Sequence, residues 1–108
     1  MDPPTIRRQL KIKVGSIKRL RKEQNLYEME VKELETKLST FKARGAEEWD
    51  VKNATRMLEE SSKMIKDTSA RLNGVVEELQ GLVKSSSTRA DMNGDEELIK
   101  AKQVLEEA

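Results

Sequence analysis

The 108-residue sequence contains no cysteine and no histidine. Disulfide frameworks, thiolate–imidazole zinc sites and thiol or imidazole catalysis are therefore excluded. Both prolines, Pro3 and Pro4, fall in the first four residues, and glycine occurs only five times. Nothing after Pro4 prevents a helix from continuing for many turns. Aromatics make up 3% of the chain, one Phe, one Trp and one Tyr, which is little for a sandwich or an α/β core. No apolar run reaches the length of a membrane span or a signal peptide. A soluble intracellular protein is expected.

What the chain has in abundance is charge, 38% of its residues, balanced to a formal +1. The balance is not local. Residues 1–45 carry 12 basic and 6 acidic side chains, residues 46–84 carry 6 and 8, and residues 85–108 carry 3 and 6. The basic excess is densest in KIKVGSIKRLRKE, residues 11–23, which has no acid before Glu23.

Apolar residues recur at helical spacing. Ile6, Leu10, Val14, Ile17 and Leu20 continue through Tyr27, Val31, Leu34, Leu38 and Phe41, with Gln24 as the polar member of the seam. Thr5 is the expected N-cap and Arg44-Gly45 the expected stop, so helix 1 is predicted over about residues 5–44. A second seam runs Val51, Ala54, Leu58, Ser61, Ile65, Thr68, Leu72, Val75, Leu79, Leu82. Met57, Met64, Val76 and Val83 widen it, as in a helix touching two neighbours. With Asp50 as its cap, helix 2 is predicted over about 50–84. SSST (85–88) and MNGD (92–95) read as loop and turn chemistry. Asp95 can cap a third helix, about 95–107, through Leu98, Ala101, Leu105 and Ala108.

Short connections imply antiparallel neighbours. The expected fold is all-α: one domain, residues 1–108, forming an elongated antiparallel three-helix bundle with spectrin-like, coiled-coil packing. Two helices are long and the C-terminal one is short. Helix 3 should lie along the N-terminal half of helix 1, bringing acidic charge to the basic stretch. The end near Phe41 to Trp49 is then a two-helix hairpin with a less covered seam.

No motif for catalysis or ligation survives inspection. Asn53-Ala54-Thr55 matches a glycosylation sequon but lies inside a predicted helix. Asp91–Glu97 lacks calcium-loop spacing, because Gly94 directly follows Asn93. Glu47/Glu48 and Glu59/Glu60 are adjacent on a helix and diverge. No enzyme activity, catalytic residue, cofactor or metal is expected.

The basic stretch therefore reads as a surface. Nucleic-acid binding would need a recognition module or an aromatic platform among the cations. A calmodulin target or membrane-surface helix would need its apolar face free, and here the bundle takes it. A solvated face and a docking face for an acidic protein remain. At about 100° per residue, Ile12 falls opposite Leu10, between Arg8, Gly15 and Arg19. An outward apolar residue ringed by arginines is a small version of an interface hot spot.

The same stretch resembles a known family. Leu10-Lys11-Ile12-Lys13, Gly15, Lys18-Arg19-Leu20, Lys22-Glu23 and Tyr27-Glu28 follow the N-terminal pattern of tubulin-binding cofactor A. Trp49, Asp50 and Lys52 match the entry to its second helix, followed by Leu58-Glu59-Glu60-Ser61, Met64-Ile65 and Arg71-Leu72. Weaker similarity continues to Ala101 and Leu105. The resemblance implies a three-helix chaperone that captures quasi-native β-tubulin after chaperonin release and holds it one-to-one for assembly with α-tubulin. It implies no nucleotide and a cytoplasmic, cytoskeleton-associated setting. The acidity of tubulin fits a basic face. Two positions depart from the pattern: Lys66 replaces a usual Pro, so that a kink is either absent or caused by another feature such as the Ser61–Thr68 section, and Trp49 replaces a usual Tyr. Candidate partner-binding residues are Arg8, Lys11, Ile12, Lys13, Lys18, Arg19, Lys22, Tyr27, Trp49, Asp50, Lys52 and Glu59. A monomer is expected, with a homodimer as the alternative through surplus seam, and neither nucleic acid nor membrane as a partner. The competing reading is a coiled-coil assembly subunit without a chaperone role.

Overall fold

A computed structural model describes residues 1–107; Ala108, expected on the seam of the third helix, lies outside the described residues. The described residues form three α-helices and one short 3-10 turn, with no strand among them. They are α1 (Pro3–Arg44), α2 (Glu48–Ser87), the 3-10 turn (Ala90–Met92) and α3 (Glu96–Glu106).

The helix ends differ from expectation in ways the backbone explains. Asp2, not Thr5, starts α1: its Oδ1 accepts the Thr5 backbone N–H at 3.0 Å, and its carbonyl accepts that of Ile6. Pro3 and Pro4 then occupy the first turn, where a missing N–H costs nothing. Asp50 is not the cap of α2. The Glu47 carbonyl accepts the N–H groups of Asp50 and Val51, which places Asp50 inside the first turn beside Glu48. Both carboxylates there favour the positive end of the helix dipole.

The serine tract expected as loop belongs to α2, which runs to Ser87. Ser85 Oγ donates to the Leu82 carbonyl at 3.0 Å and Ser87 Oγ to that of Val83 at 2.7 Å. Back-bonding of this kind lets hydroxyl residues remain helical. α2 also passes through Lys66 without interruption.

Two glycines hold backbone that other residues resist. Gly45, with φ 66°, ends α1: its N–H reaches the Lys42 carbonyl and the Ala46 N–H reaches that of Phe41. This paired closure satisfies carbonyls that the last turn leaves open. Gly94, with φ 74°, follows extended Asn93 in a type II turn closed by Asp95 N–H to the Met92 carbonyl.

Contacts divide the chain into two compact units. The first comprises Met1–Arg21 and the chain from Arg71 onward. Its core joins Ile6, Leu10, Val14 and Ile17 of α1 to Leu79 of α2, Met92 of the 3-10 turn, and Leu98, Ala101 and Val104 of α3. Each large side chain fully withdrawn from water contributes about 1.5–3 kcal/mol before entropy is counted. Arg7 pairs with Asp95, while Arg21 donates to the Val104 carbonyl at 3.1 Å, so α3 runs in the same direction as α1. Lys13 Nζ meets Glu78 Oε2 of α2 at 2.9 Å.

The second unit is Lys22–Ala70, a helical pair closed by the turn after Gly45. Its buried side chains are Leu34, Ala54, Ser61 and Thr68. Three of these are small residues of α2 at seven-residue spacing, a repeat that keeps one face of the helix toward its neighbour. Tyr27, Val31, Leu38, Phe41, Leu58 and Ile65 are only half-buried.

Candidate partner-binding surface

The core seam of α1 leaves the opposite side of the helix to solvent. In the first unit, Arg8, Lys11, Lys18 and Arg19 are exposed there, with Ile12 at 53% exposure among them. Gly15 lies beside Ile12, and a Cβ placed on it would meet no neighbouring atom within 4 Å. Among the described residues, none of these four cations enters a salt bridge. Lys13 is different. Its side chain is held against α2 by Glu78, so it stands apart from the outward group.

The remaining expected residues lie in the second unit. Lys22 and Glu59 are exposed, whereas Tyr27 and Asp50 are half-buried. Trp49 is 70% exposed. With Lys52, Asn53 and Arg56 it lines an open depression of about 280 Å³ on the first turns of α2. Arg56 donates to Asn53 Oδ1 at 3.0 Å, and Lys52 pairs with Glu48 at 3.0 Å. The helical spacing of Trp49, Lys52, Asn53 and Arg56 places them on one face.

Sequence reasoning passed over Leu26 and Met29 of α1, which are 57% and 58% exposed. A seven-residue count reaches Leu26 from Ile12 and Arg19, and Met29 from Gly15 and Lys22, but it does not tell a covered face from an open one.

The Arg7 guanidinium holds the Asp95 carboxyl below its ordinary value, and backbone N–H groups of Leu98 and Glu97 add to the effect. Arg89 does the same for Asp91. Both acids are thereby kept ionised in structural roles. Among the described residues, no three His, Cys, Asp or Glu side chains are grouped so as to hold a metal, and no helix is long and apolar enough to cross a membrane.

Comparison with known proteins agrees with this arrangement of helices. The family model described as Tubulin binding cofactor A matches residues 5–105. Tubulin-specific chaperone A of Homo sapiens is 37% identical over 106 residues, covering 98% of this chain and 94% of the relative. The solved structure of human tubulin chaperone cofactor A superposes with a TM-score of 0.78 at 35% identity, over 94% of this chain and 96% of that one. Tubulin folding cofactor A from Arabidopsis thaliana gives a TM-score of 0.82 at 31% identity, over 95% and 94%. The chain belongs to the tubulin binding cofactor A family.

Proposed function

We propose that this protein is a tubulin-folding chaperone that captures quasi-native β-tubulin after its release from the chaperonin. It holds β-tubulin in a one-to-one complex and yields it for pairing with α-tubulin. Capture is stoichiometric, with no nucleotide and no covalent intermediate, and takes place in the cytoplasm with the chaperone as a monomer.

The observation that carries this reading is the family match across residues 5–105. The geometry supports it. In the first unit the apolar seams of all three helices are consumed internally, so a partner must be met on outward faces. The outward face of α1 presents Ile12 among unpaired cations, and that combination suits a complementary acidic surface. Trp49 and Lys52 on α2, with Lys22, Tyr27, Asp50 and Glu59, add contacts in the second unit.

Size exclusion with tubulin released from the chaperonin tests the reading. The expected result is co-elution of one chaperone with one β-tubulin. Absence of any complex would end it. Replacing Arg8, Ile12 and Arg19 together with Ala should weaken capture while helical content and Tm stay near those of the unaltered protein. Undiminished capture by that variant would assign the basic face to solvation alone.

A further inference from the structure

Gly15 lies well inside α1, and nothing in the fold requires a glycine there. Its φ is not in the left-handed region, and a Cβ built on it would meet no neighbouring atom within 4 Å. Glycine in a helix interior is less stable than alanine, because it loses more backbone freedom on folding. At this position the loss is offset by neither a tight turn nor a close helix contact.

What the missing side chain leaves is a notch. On a helix, the side chains three and four residues away surround a given position. Around Gly15 these are Lys11, Ile12, Lys18 and Arg19, all exposed and all within the first unit. The floor is bare backbone. The walls are the Ile12 side chain and the aliphatic stems of the three cations, whose charged heads stand toward water. A centre that is apolar at depth and charged at its rim has the anatomy of a small interface hot spot.

Gly74 and Gly81 of α2 are equally open but make no such site. Each has Glu77 and Glu78 within a turn, and neither has a large apolar residue exposed beside it.

Charge specifies the occupant. No acid stands in the sequence between Asp2 and Glu23. In the first unit, the acids that form salt bridges take Arg7, Lys13, Arg21, Arg89 and Lys100. Lys11, Lys18 and Arg19 enter none among the described residues. A second copy laid on this face would set like charges against each other. A purely polar anion would leave Ile12 and the bare floor uncovered.

We propose that the notch over Gly15 receives one large apolar side chain of an acidic protein, with carboxylates beside that side chain meeting Lys11, Lys18 and Arg19. That this protein is tubulin rests on the proposed function; the chemistry of the inserted group rests on the notch. Gly15 then weakens its own helix and in return lets the partner approach the backbone.

Filling the notch separates these two effects. Gly15→Ala and Gly15→Leu should keep or raise Tm, because both residues favour helix over glycine and the space is open. Tubulin capture should nevertheless weaken, by at least about tenfold for Gly15→Leu. Gly81→Ala makes the same change at an open helical glycine of the same unit, and should raise Tm and capture normally. Capture by Gly15→Leu within about twofold of the unaltered protein would overturn the proposal.

If the unaltered protein captures no tubulin, the proposed function fails and the notch is judged with peptides. Backbone amide resonances are followed while three synthetic peptides are added in turn: phenylalanine between glutamates, serine between glutamates, and phenylalanine between lysines. Shifts at Gly15, Ile12 and Lys18 with the first peptide alone, absent at positions 12 and 18 in Gly15→Leu, would sustain the notch. Equal shifts with either other peptide, or none with any, would overturn it. Shifts at Gly15 that grow with protein concentration alone would assign the face to a second copy and overturn it too.

Discussion

Arg7 of α1 donates to Oδ2 of Asp95, whose other oxygen, Oδ1, accepts the backbone N–H groups of Glu97 and Leu98 at 2.9 and 3.3 Å. One half-buried carboxylate thus caps α3 and ties it to α1. Asp95→Asn should keep the cap and lose the ion pair, whereas Asp95→Ala should lose both. The difference between them is expected to be about 1 kcal/mol, the usual worth of a helix cap. The pH dependence has a definite sign. Asp95 titrates lower in the fold than its ordinary value, so its contribution is complete above about pH 4 and disappears as pH falls through the folded-state pKa. Urea unfolding between pH 2 and 6 should show the protein losing its advantage over Asp95→Asn at the acid end, to about the extent that this one group contributes.

Met92 is fully buried although its neighbours Asn93 and Gly94 make an exposed turn. Met92→Ala should therefore cost about 2–5 kcal/mol, as other large-to-small core changes do. Asn93→Ala, at an exposed position next to it, should cost far less. Guanidinium denaturation of the two variants would separate a core residue from a turn residue.

Ser86 is buried in the last turn of α2, and its Oγ has no hydrogen-bond partner among the described residues. Its neighbours Ser85 and Ser87 both bond back to carbonyls. Ser86→Ala removes an unsatisfied hydroxyl and adds helix propensity, so stability should rise by about 1 kcal/mol. A lower Tm for this variant would show that the hydroxyl is satisfied in solution.

The same substitution should have opposite signs at two glycines. Gly15 is helical and open, and Gly15→Ala should raise stability by about 0.5–1 kcal/mol. Gly94 has φ 74°, and Gly94→Ala should lower stability by about 1 kcal/mol or more. Thermal melts of the two variants provide the comparison.

If the cations of α1 steer an acidic partner, the association rate of tubulin should fall as salt rises. Arg8→Ala/Arg19→Ala should flatten that dependence and leave dissociation less affected. Stopped-flow association across about 50–300 mM salt reads the slope, since screening lengths shorten over that range. A slope identical to that of the unaltered protein would remove these two residues from the encounter.

Much of the fold was legible because helical periodicity is written in single residues. Leu10, Ile17 and Leu79 stand on seams read from spacing alone, and each is fully buried. Ser61 and Thr68 also stand on the seam and are buried despite their polarity. The misplaced ends have a common cause. Asp2, Thr5, Asp50 and the serine tract offer several acceptors or donors within a few residues, and local chemistry alone does not rank them. Met92 was illegible for a different reason: turn residues surround it, and burial of its side chain depends on elements distant in sequence.

The outward residues of α1 divide along the same line. Arg8, Ile12 and Arg19 were visible as a group because the wheel sets them opposite Leu10. Leu26 and Met29 gained meaning only when their exposure showed that no helix of this chain covers them. Sequence alone determined the helix class, the apolar seams and the excess of basic charge in the first helix, because each follows from residue type and spacing. Tertiary structure decided which caps close, which serine and methionine are buried, which cations find partners and which apolar residues remain open. Those outcomes depend on which surfaces meet, and that is settled only when the helices exclude water from one another.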